Sequence, residues 1–348
     1  MIGIGVIGYG YWGPNLVRNF AEVPGCRVVA VSDLLIERLA QVRNRYPAIK
    51  TTTDYGDLLA DPDIDAIVVA TPVSTHFPLA MQALSAGKHV FVEKPLAPTT
   101  EQVARLIAHA AECDRVLMVD HTFIYTGAVQ KIKDLVTEGR LGQLYYYDSV
   151  RVNLGLFQHD VSVLWDLAVH DLAIMDYVLG EHPYAVAATG VAHVAGQPAN
   201  IAYLTCFFER NLLAHLHVNW LAPVKVRRTL IGGDRQMIVY DDLEPSEKVK
   251  VYDKGIFLQN GRSGAQDEEG IHKLLVGYRA GDMWAPQLSL TEALRVEATH
   301  FVDCIEHRRR PLSDGEAGLR VVRILEAATR SLANGGQPVE LSREQVYT

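Results

Sequence analysis

The stretch "HVFVEKPLAP", residues 89–98, runs as a buried strand into Glu93, Lys94 and Pro95. A lysine at the mouth of a buried strand, with proline fixing the backbone behind it, can hydrogen-bond a hydroxyl or ketone oxygen of a ligand held there. A second pattern, Gly8-x-Gly10-x-x-Gly13 in "VIGYGYWG", follows the first apolar run and opens a helical one. Glycine there permits a tight turn and lets backbone N–H groups approach a pyrophosphate, and the helix start adds partial positive charge. The turn's other residues, Tyr11 and Trp12, lie against the same ligand. Asp33 comes twenty residues after Gly13, at the end of the second apolar run. A carboxylate there accepts from ribose hydroxyls and repels a 2′-phosphate, and it could also cap the next helix. No basic residue follows at once, though Arg38 lies about a turn later, so NAD is expected over NADP. Asp166 and His170 are four apart, which on a helix puts them on one face, where the carboxylate can orient the imidazole.

The elements that position these groups can be read from periodicity. Strand patterns fall at 2–7, 27–32, 65–70, 89–92 and 116–119, with a weaker one near 49–52, and helical patterns lie between them. That alternation argues for a parallel sheet covered on both faces, whose carboxyl-end crevice receives Thr71, Pro72, His76, Glu93 and Lys94. After about residue 125 the texture changes. A helix over 126–138 precedes a long strand, "QLYYYDSVRVNL", and a helix over 163–179 carries Asp166 and His170 above an apolar stripe. Asp171, beside them, reads as a surface or capping group. Strand runs without helices follow through residue 252, so the second sheet should be largely antiparallel. Helices return at 290–307 and 316–334. The expected division is 1–122 and 123–348.

The bulk properties narrow the function. A chain of 348 residues, 49% hydrophobic, exceeds one typical core. A net charge of −8 argues against nucleic acid as a partner, with Arg308-Arg309-Arg310 read as a solvated helix end. The apolar N-terminus has no basic leader region and is broken by glycines, so no signal peptide is expected, and no run is long enough to span a membrane. Cys26, Cys113, Cys206 and Cys304 are too scattered for a disulfide framework, which suits reduced thiols and a cytoplasmic location. His215 and His217 share a strand face. With no cysteine cluster and no His-Glu-x-x-His, they suggest a sheet-face interface, and no metal is expected.

The glycine pattern, "ATPVSTH" and above all "EKP" resemble the Gfo/Idh/MocA oxidoreductases, the glucose–fructose oxidoreductase and inositol dehydrogenase family. "WDLAVHDLAIMDYVLG" resembles that family's Asp-x-x-x-His segment. "YRAGDMWAPQL" and "DGEAGLRVVRILEAATRSL" are similar to members from sugar-nucleotide and polysaccharide pathways. The resemblance implies an α/β chain: a Rossmann doubly wound parallel sheet, then an α+β domain whose large, mostly antiparallel open sheet makes oligomers. A homodimer or homotetramer is therefore expected. It further implies hydride transfer between the nicotinamide and a secondary hydroxyl or ketone of a sugar or sugar nucleotide. Lys94, Asp166 and His170 are the expected catalytic residues. His170 is preferred as base with Lys94 polarising the oxygen, and the reverse assignment of the proton stays open. Arg151 and Asn153, alternating on one strand face, and Tyr278 and Arg279 in the "YRAGD" run suit a polyhydroxylated or anionic substrate. The competing readings are an inositol-type dehydrogenase, an NAD-assisted glycosidase and a non-catalytic dinucleotide sensor.

Overall fold

The computed structural model describes residues 1–155, 161–258 and 276–341. The chain divides into two compact units, Met1–Thr126 with Leu290–Glu326 and Gly127–Ser289 with Ala327–Thr348.

The first unit holds six parallel strands among the described residues, in the order β3-β2-β1-β4-β5-β6. They are β1 (Ile2–Ile7), β2 (Cys26–Ser32), β3 (Lys50–Thr52), β4 (Ala66–Val69), β5 (His89–Val92) and β6 (Leu117–Val119). Helices α1 (Gly13–Glu22), α2 (Ile36–Arg45), α3 (Tyr55–Ala60), α4 (His76–Ser85) and α5 (Thr100–Glu112) connect them. The central strands β1, β4 and β5, IGIGVI, AIVV and HVFV, are apolar and almost wholly buried because both sheet faces are covered. The strand order reverses between β1 and β4, which opens the ligand crevice at their carboxyl ends.

The sequence boundary at 122/123 assigned everything downstream to the second domain. The structure instead returns 290–326 to the first unit, as a helix over Ala293–His307 and the start of another over Gly315–Ala333. The reason is packing. Phe301 meets Phe20 and Phe91 edge-on, at ring separations of 6.1 and 5.4 Å, and Phe20 meets Phe91 at 5.7 Å. Ser313 adds backbone and side-chain bonds, from Val119 N–H to its carbonyl at 2.8 Å and between its hydroxyl and that of Tyr125 at 3.0 Å.

The second unit opens with α6 (Gly127–Thr137) and β7 (Leu144–Leu154). A π-helical turn over Leu164–Ala168 then leads into α7 (Val169–Leu179). The strands β8 (Ala185–Val191), β9 (Ile201–Phe207), β10 (Leu213–Asn219), β11 (Leu221–Gly233), β12 (Met237–Asp241) and β13 (Val249–Tyr252) follow. β14 (Gly255–Leu258) and β15 (Val276–Arg279) form a separate pair, and β16 (Met283–Trp284) and β17 (Val339–Glu340) are edges. In chain order the two late helices are α8 (Ala293–His307) and α9 (Gly315–Ala333). The large sheet has nine strands among the described residues, ordered β16-β13-β12-β11-β7-β10-β9-β8-β17. Its pairs are antiparallel except β7 with β10. Ala202, Leu204 and Cys206 on β9, with Ala214, Leu216 and Val218 on β10, point to the buried side, the period-two pattern of a sheet covered on one face. No described helix is long and apolar enough to cross a membrane.

Candidate functional site

The turn after β1 is built for glycine at two of its three positions. Gly8 has φ +98°, and a Cβ there would lie 2.4 Å from the Ala70 carbonyl oxygen. A Cβ on Gly13 would lie 2.3 Å from the Gly8 carbonyl, so α1 starts hard against the turn. Gly10 differs. Its nearest neighbour would be the Arg38 guanidinium at 3.6 Å, so protein packing does not demand glycine there, and a bare backbone faces open space. Trp12 precedes α1, and no acidic residue occupies the helix's first turn. No acidic side chain offsets the helix dipole at this end, which fits a pyrophosphate.

Asp33 is buried at the end of β2. Its Oδ2 accepts from the Tyr9 N–H at 2.7 Å and from Arg38 at 3.3 Å, and its Oδ1 accepts from the Leu35 N–H at 2.9 Å. It does not act as the N-cap of α2; that position is Leu35. The two oxygens offer about four lone-pair sites, so capacity remains for a ribose hydroxyl. Tyr11 is exposed, and the indole N–H of Trp12 donates to Asp120 Oδ2 at 2.9 Å.

Lys94 follows β5 and is half-buried. Glu93 extends the ladder, its N–H donating to the Val69 carbonyl at 2.9 Å. The next residue's carbonyl is held from the side: His76 Nδ1 lies 2.8 Å from Pro95 O, and Nε2 lies 2.8 Å from Thr71 O. The sequence placed His76 among cofactor contacts. The structure instead buries the ring to 1% exposure with both nitrogens on backbone oxygens, so it braces the β4 exit to the β5 exit. Burial, with the nearby Lys94 charge, holds its pKa below the ordinary value, against the pull of the two carbonyls. Thr71 receives the Thr75 hydroxyl at 2.7 Å, and Pro72 is exposed beside it.

In the second unit, the helix expected over 163–179 begins as the π-turn, and Asp166 sits in it. The buried Trp220 indole N–H donates to Asp166 Oδ2 at 3.1 Å. Single π-turns inside helices recur at functional sites. His170 lies in the first turn of α7, part-exposed. Arg151, expected to contact substrate, is 3% exposed. Its guanidinium is buried against Asp171, with Nε at 2.6 Å and Nη2 at 3.2 Å from the two carboxylate oxygens. Asp171 is correspondingly buried rather than a surface group, and its carbonyl accepts from the Tyr147 hydroxyl at 3.3 Å. Removing one partner of such a pair costs about 3–5 kcal/mol, because the other charge is left buried and unpaired. Asn153 continues the Arg151 face two residues on and is part-exposed. Arg279 is tied to Asp253 at 2.8 Å and to the Arg235 carbonyl. Tyr278 lies in β15, and its side chain is outside the described residues.

The structure thus gathers Gly8, Gly10, Gly13, Trp12, Asp33 and Arg38 at the carboxyl end of one sheet, with Thr71 and Lys94 on neighbouring exits. Asp166 and His170 belong to the other unit. Sequence reasoning missed Asp120, Trp220 and Asp171. Asp120 had a signal, since it ends β6 at the sheet edge that singled out Lys94. Trp220 and Asp171 had none, because their partners are distant in sequence. Among the described residues, no group of three His, Cys, Asp or Glu is placed to hold a metal.

Two family models match the chain. GFO_IDH_MocA, described as an oxidoreductase family with an NAD-binding Rossmann fold, covers residues 2–121. Its C-terminal alpha/beta domain covers 133–341. The chain is 28% identical to UDP-N-acetylglucosamine 3-dehydrogenase of Acidithiobacillus ferrooxidans, over 91% of this chain and 93% of that one. A crystal form of that enzyme superposes with a TM-score of 0.79 at 26% identity, covering 96% and 98% of the two chains. The NAD-dependent scyllo-inositol 2-dehydrogenase of Bacillus subtilis is 26% identical over 100% of this chain and 97% of its own. GenD2 of gentamicin A biosynthesis, solved with NAD, shares the fold with a TM-score of 0.80 at 24% identity, covering 98% of this chain and 96% of its own.

Proposed function

The chain belongs to the Gfo/Idh/MocA oxidoreductase family, and from that premise we propose that it moves a hydride between NAD and a secondary hydroxyl or ketone of a sugar nucleotide or related sugar. It is an NAD-dependent oxidoreductase; the substrate and the residue roles are the proposal. The observation that carries it is the braced lysine: Lys94 leaves the sheet at the crevice, and His76 fixes the carbonyl of the residue after it.

NAD, when bound, supplies the hydride acceptor. Lys94 donates a hydrogen bond to the reacting oxygen and stabilises negative charge on it. His170 takes the hydroxyl proton as the C–H bond breaks, so carbon loses hydride and oxygen loses a proton. Asp166, steadied by Trp220, sits one turn before His170 and favours the charged imidazole. Asp33 receives the ribose hydroxyls and disfavours a 2′-phosphate, which makes NAD the preferred cofactor over NADP. Asn153 remains a candidate substrate contact, while Arg151 serves it only as a structural neighbour.

Similarity to the UDP-N-acetylglucosamine dehydrogenase along nearly the whole chain supports a sugar nucleotide. The inositol dehydrogenase supports the cyclitol alternative. A panel of UDP-N-acetylglucosamine, other sugar nucleotides, free sugars and scyllo-inositol, followed by the absorbance of reduced nicotinamide, tests the reading. It is expected to turn over a sugar nucleotide faster than inositol. The opposite order contradicts the substrate, and no turnover with any polyol favours the sensor reading. Two further parts of the proposal are a cytoplasmic setting, where the four free thiols stay reduced, and self-association through the outer face of the nine-stranded sheet.

A further inference from the structure

Helix α8 carries an acid on its apolar face. Leu294, Ala298, Phe301 and Val302 are buried, and Glu297, in register with them, is 0% exposed. Among the described residues neither of its carboxyl oxygens has a well-formed hydrogen bond, and the polar side chains within its reach are those of Asp120 and Thr122. The groups that face it are Asp120 and Thr122 from the β6 exit, Glu93 from the β5 exit, and Tyr125 from the turn Thr122–Tyr125. None of these is a cation.

Asp120 is itself buried and already holds three donors. They are the Trp12 indole N–H at 2.9 Å, the Thr122 N–H at 3.2 Å and the Thr122 hydroxyl. A carboxylate has about four lone-pair sites, so one is left. The Thr122 hydroxyl has one proton and spends it on Asp120. Two buried carboxyl groups this close do not both ionise. Burial first, and Asp120 second, push Glu297 well above the carboxylate range. The proton belongs on Glu297, because Asp120 is the one whose negative charge is solvated by donors.

We infer that Glu297 is a positioning residue: as a neutral acid it donates its O–H to the remaining site of Asp120, and through Asp120 it fixes the Trp12 indole and the glycine turn that receives the dinucleotide. The inference rests on the NAD-binding fold and is independent of the proposed substrate. It has a pH signature. Glu297 has a folded-state pKa raised above its unfolded value, so its contribution is full below the ordinary carboxyl range and is lost as pH rises through the folded value. Ionised, it would repel Asp120 and loosen Trp12, and NAD affinity would fall.

The test is NAD binding by calorimetry on the full chain from about pH 6 to about pH 9.5, with thermal unfolding in parallel. The native protein should bind NAD progressively more weakly toward alkaline pH. Glu297→Gln replaces the O–H donor with an N–H donor that does not titrate, so it should match native affinity near neutrality and stay flat as pH rises. Glu297→Leu removes the donor and should bind NAD about tenfold or more weakly than Glu297→Gln at every pH, the worth of one hydrogen bond to a charged group. The inference is overturned if Glu297→Gln keeps the native alkaline loss, or if it weakens binding as much as Glu297→Leu. If Glu297→Leu does not fold, the comparison of native protein with Glu297→Gln decides alone. Turnover plays no part in this measurement, so a wrong substrate would leave the result intact.

Discussion

Asp33 has three protein donors on it, and one of them is a competitor for its role. Arg38 neutralises part of the charge that would repel a 2′-phosphate, at 3.3 Å from Oδ2. Asp33→Ser should therefore act twice. It removes the acceptor for the ribose hydroxyls, and it frees Arg38 for a phosphate. A hydrogen bond to a charged group is worth about 1.5–3 kcal/mol, so NAD affinity should drop about tenfold or more while NADP gains. Titration with both cofactors reads this directly; unchanged NAD affinity would remove Asp33 from the site. At this scale the sequence was most legible where one residue type answers to one backbone demand, as at Gly8 and Gly13. It was least legible where burial decides. Alternation put Arg151 and Asn153 on one face correctly, but could not say that the face at Arg151 is packed against Asp171. His76 stood near the crevice as expected, yet its two carbonyl partners come from separate loops that no spacing reveals.

Elements were legible to within a residue or two where a single period governs them. The first-unit strands are apolar runs bounded by turns, and β9 and β10 alternate cleanly. The turn Leu164–Ala168 was not legible, because a π-turn in a helix has no period of its own; Asp166 in it is held by Trp220, more than fifty residues downstream. Helix α8 was seen as a helix but assigned to the wrong unit, since its apolar stripe does not name the surface it packs on. The Phe20, Phe91 and Phe301 contacts do. Phe301→Ala should destabilise the dinucleotide-binding unit by about 3–5 kcal/mol, the cost of emptying a buried phenylalanine site. Denaturant unfolding with and without NAD would check it: the transition that NAD shifts should be the one that Phe301→Ala weakens. If only the transition insensitive to NAD moved, α8 would belong energetically to the second unit.

For the whole molecule, two claims extend beyond a single unit's packing. The first is assembly. Behind the buried rows of β9 and β10, the opposite row carries Tyr203, Phe207, Leu213, His215 and His217, with Tyr203 stacked on His217 at 4.4 Å. A broad apolar and aromatic sheet face suits an isologous partner. Light scattering at micromolar concentration should give a mass of at least twice 38.5 kDa, and a monomer would count against the interface. The second claim is that the chain turns over and does not merely sense NAD. Lys94 separates these, because a sensor needs the glycine turn and Asp33 but not a lysine at the β5 exit. The decisive measurement is kcat alongside the NAD dissociation constant for Lys94→Ala, on the first substrate the panel yields. The account predicts a folded protein with NAD affinity close to native and kcat reduced by a factor on the order of 10²–10⁴, the usual worth of a positioned proton-transfer group. Near-native kcat in Lys94→Ala would contradict it and leave Lys94 as a strand-end charge with no part in the chemistry.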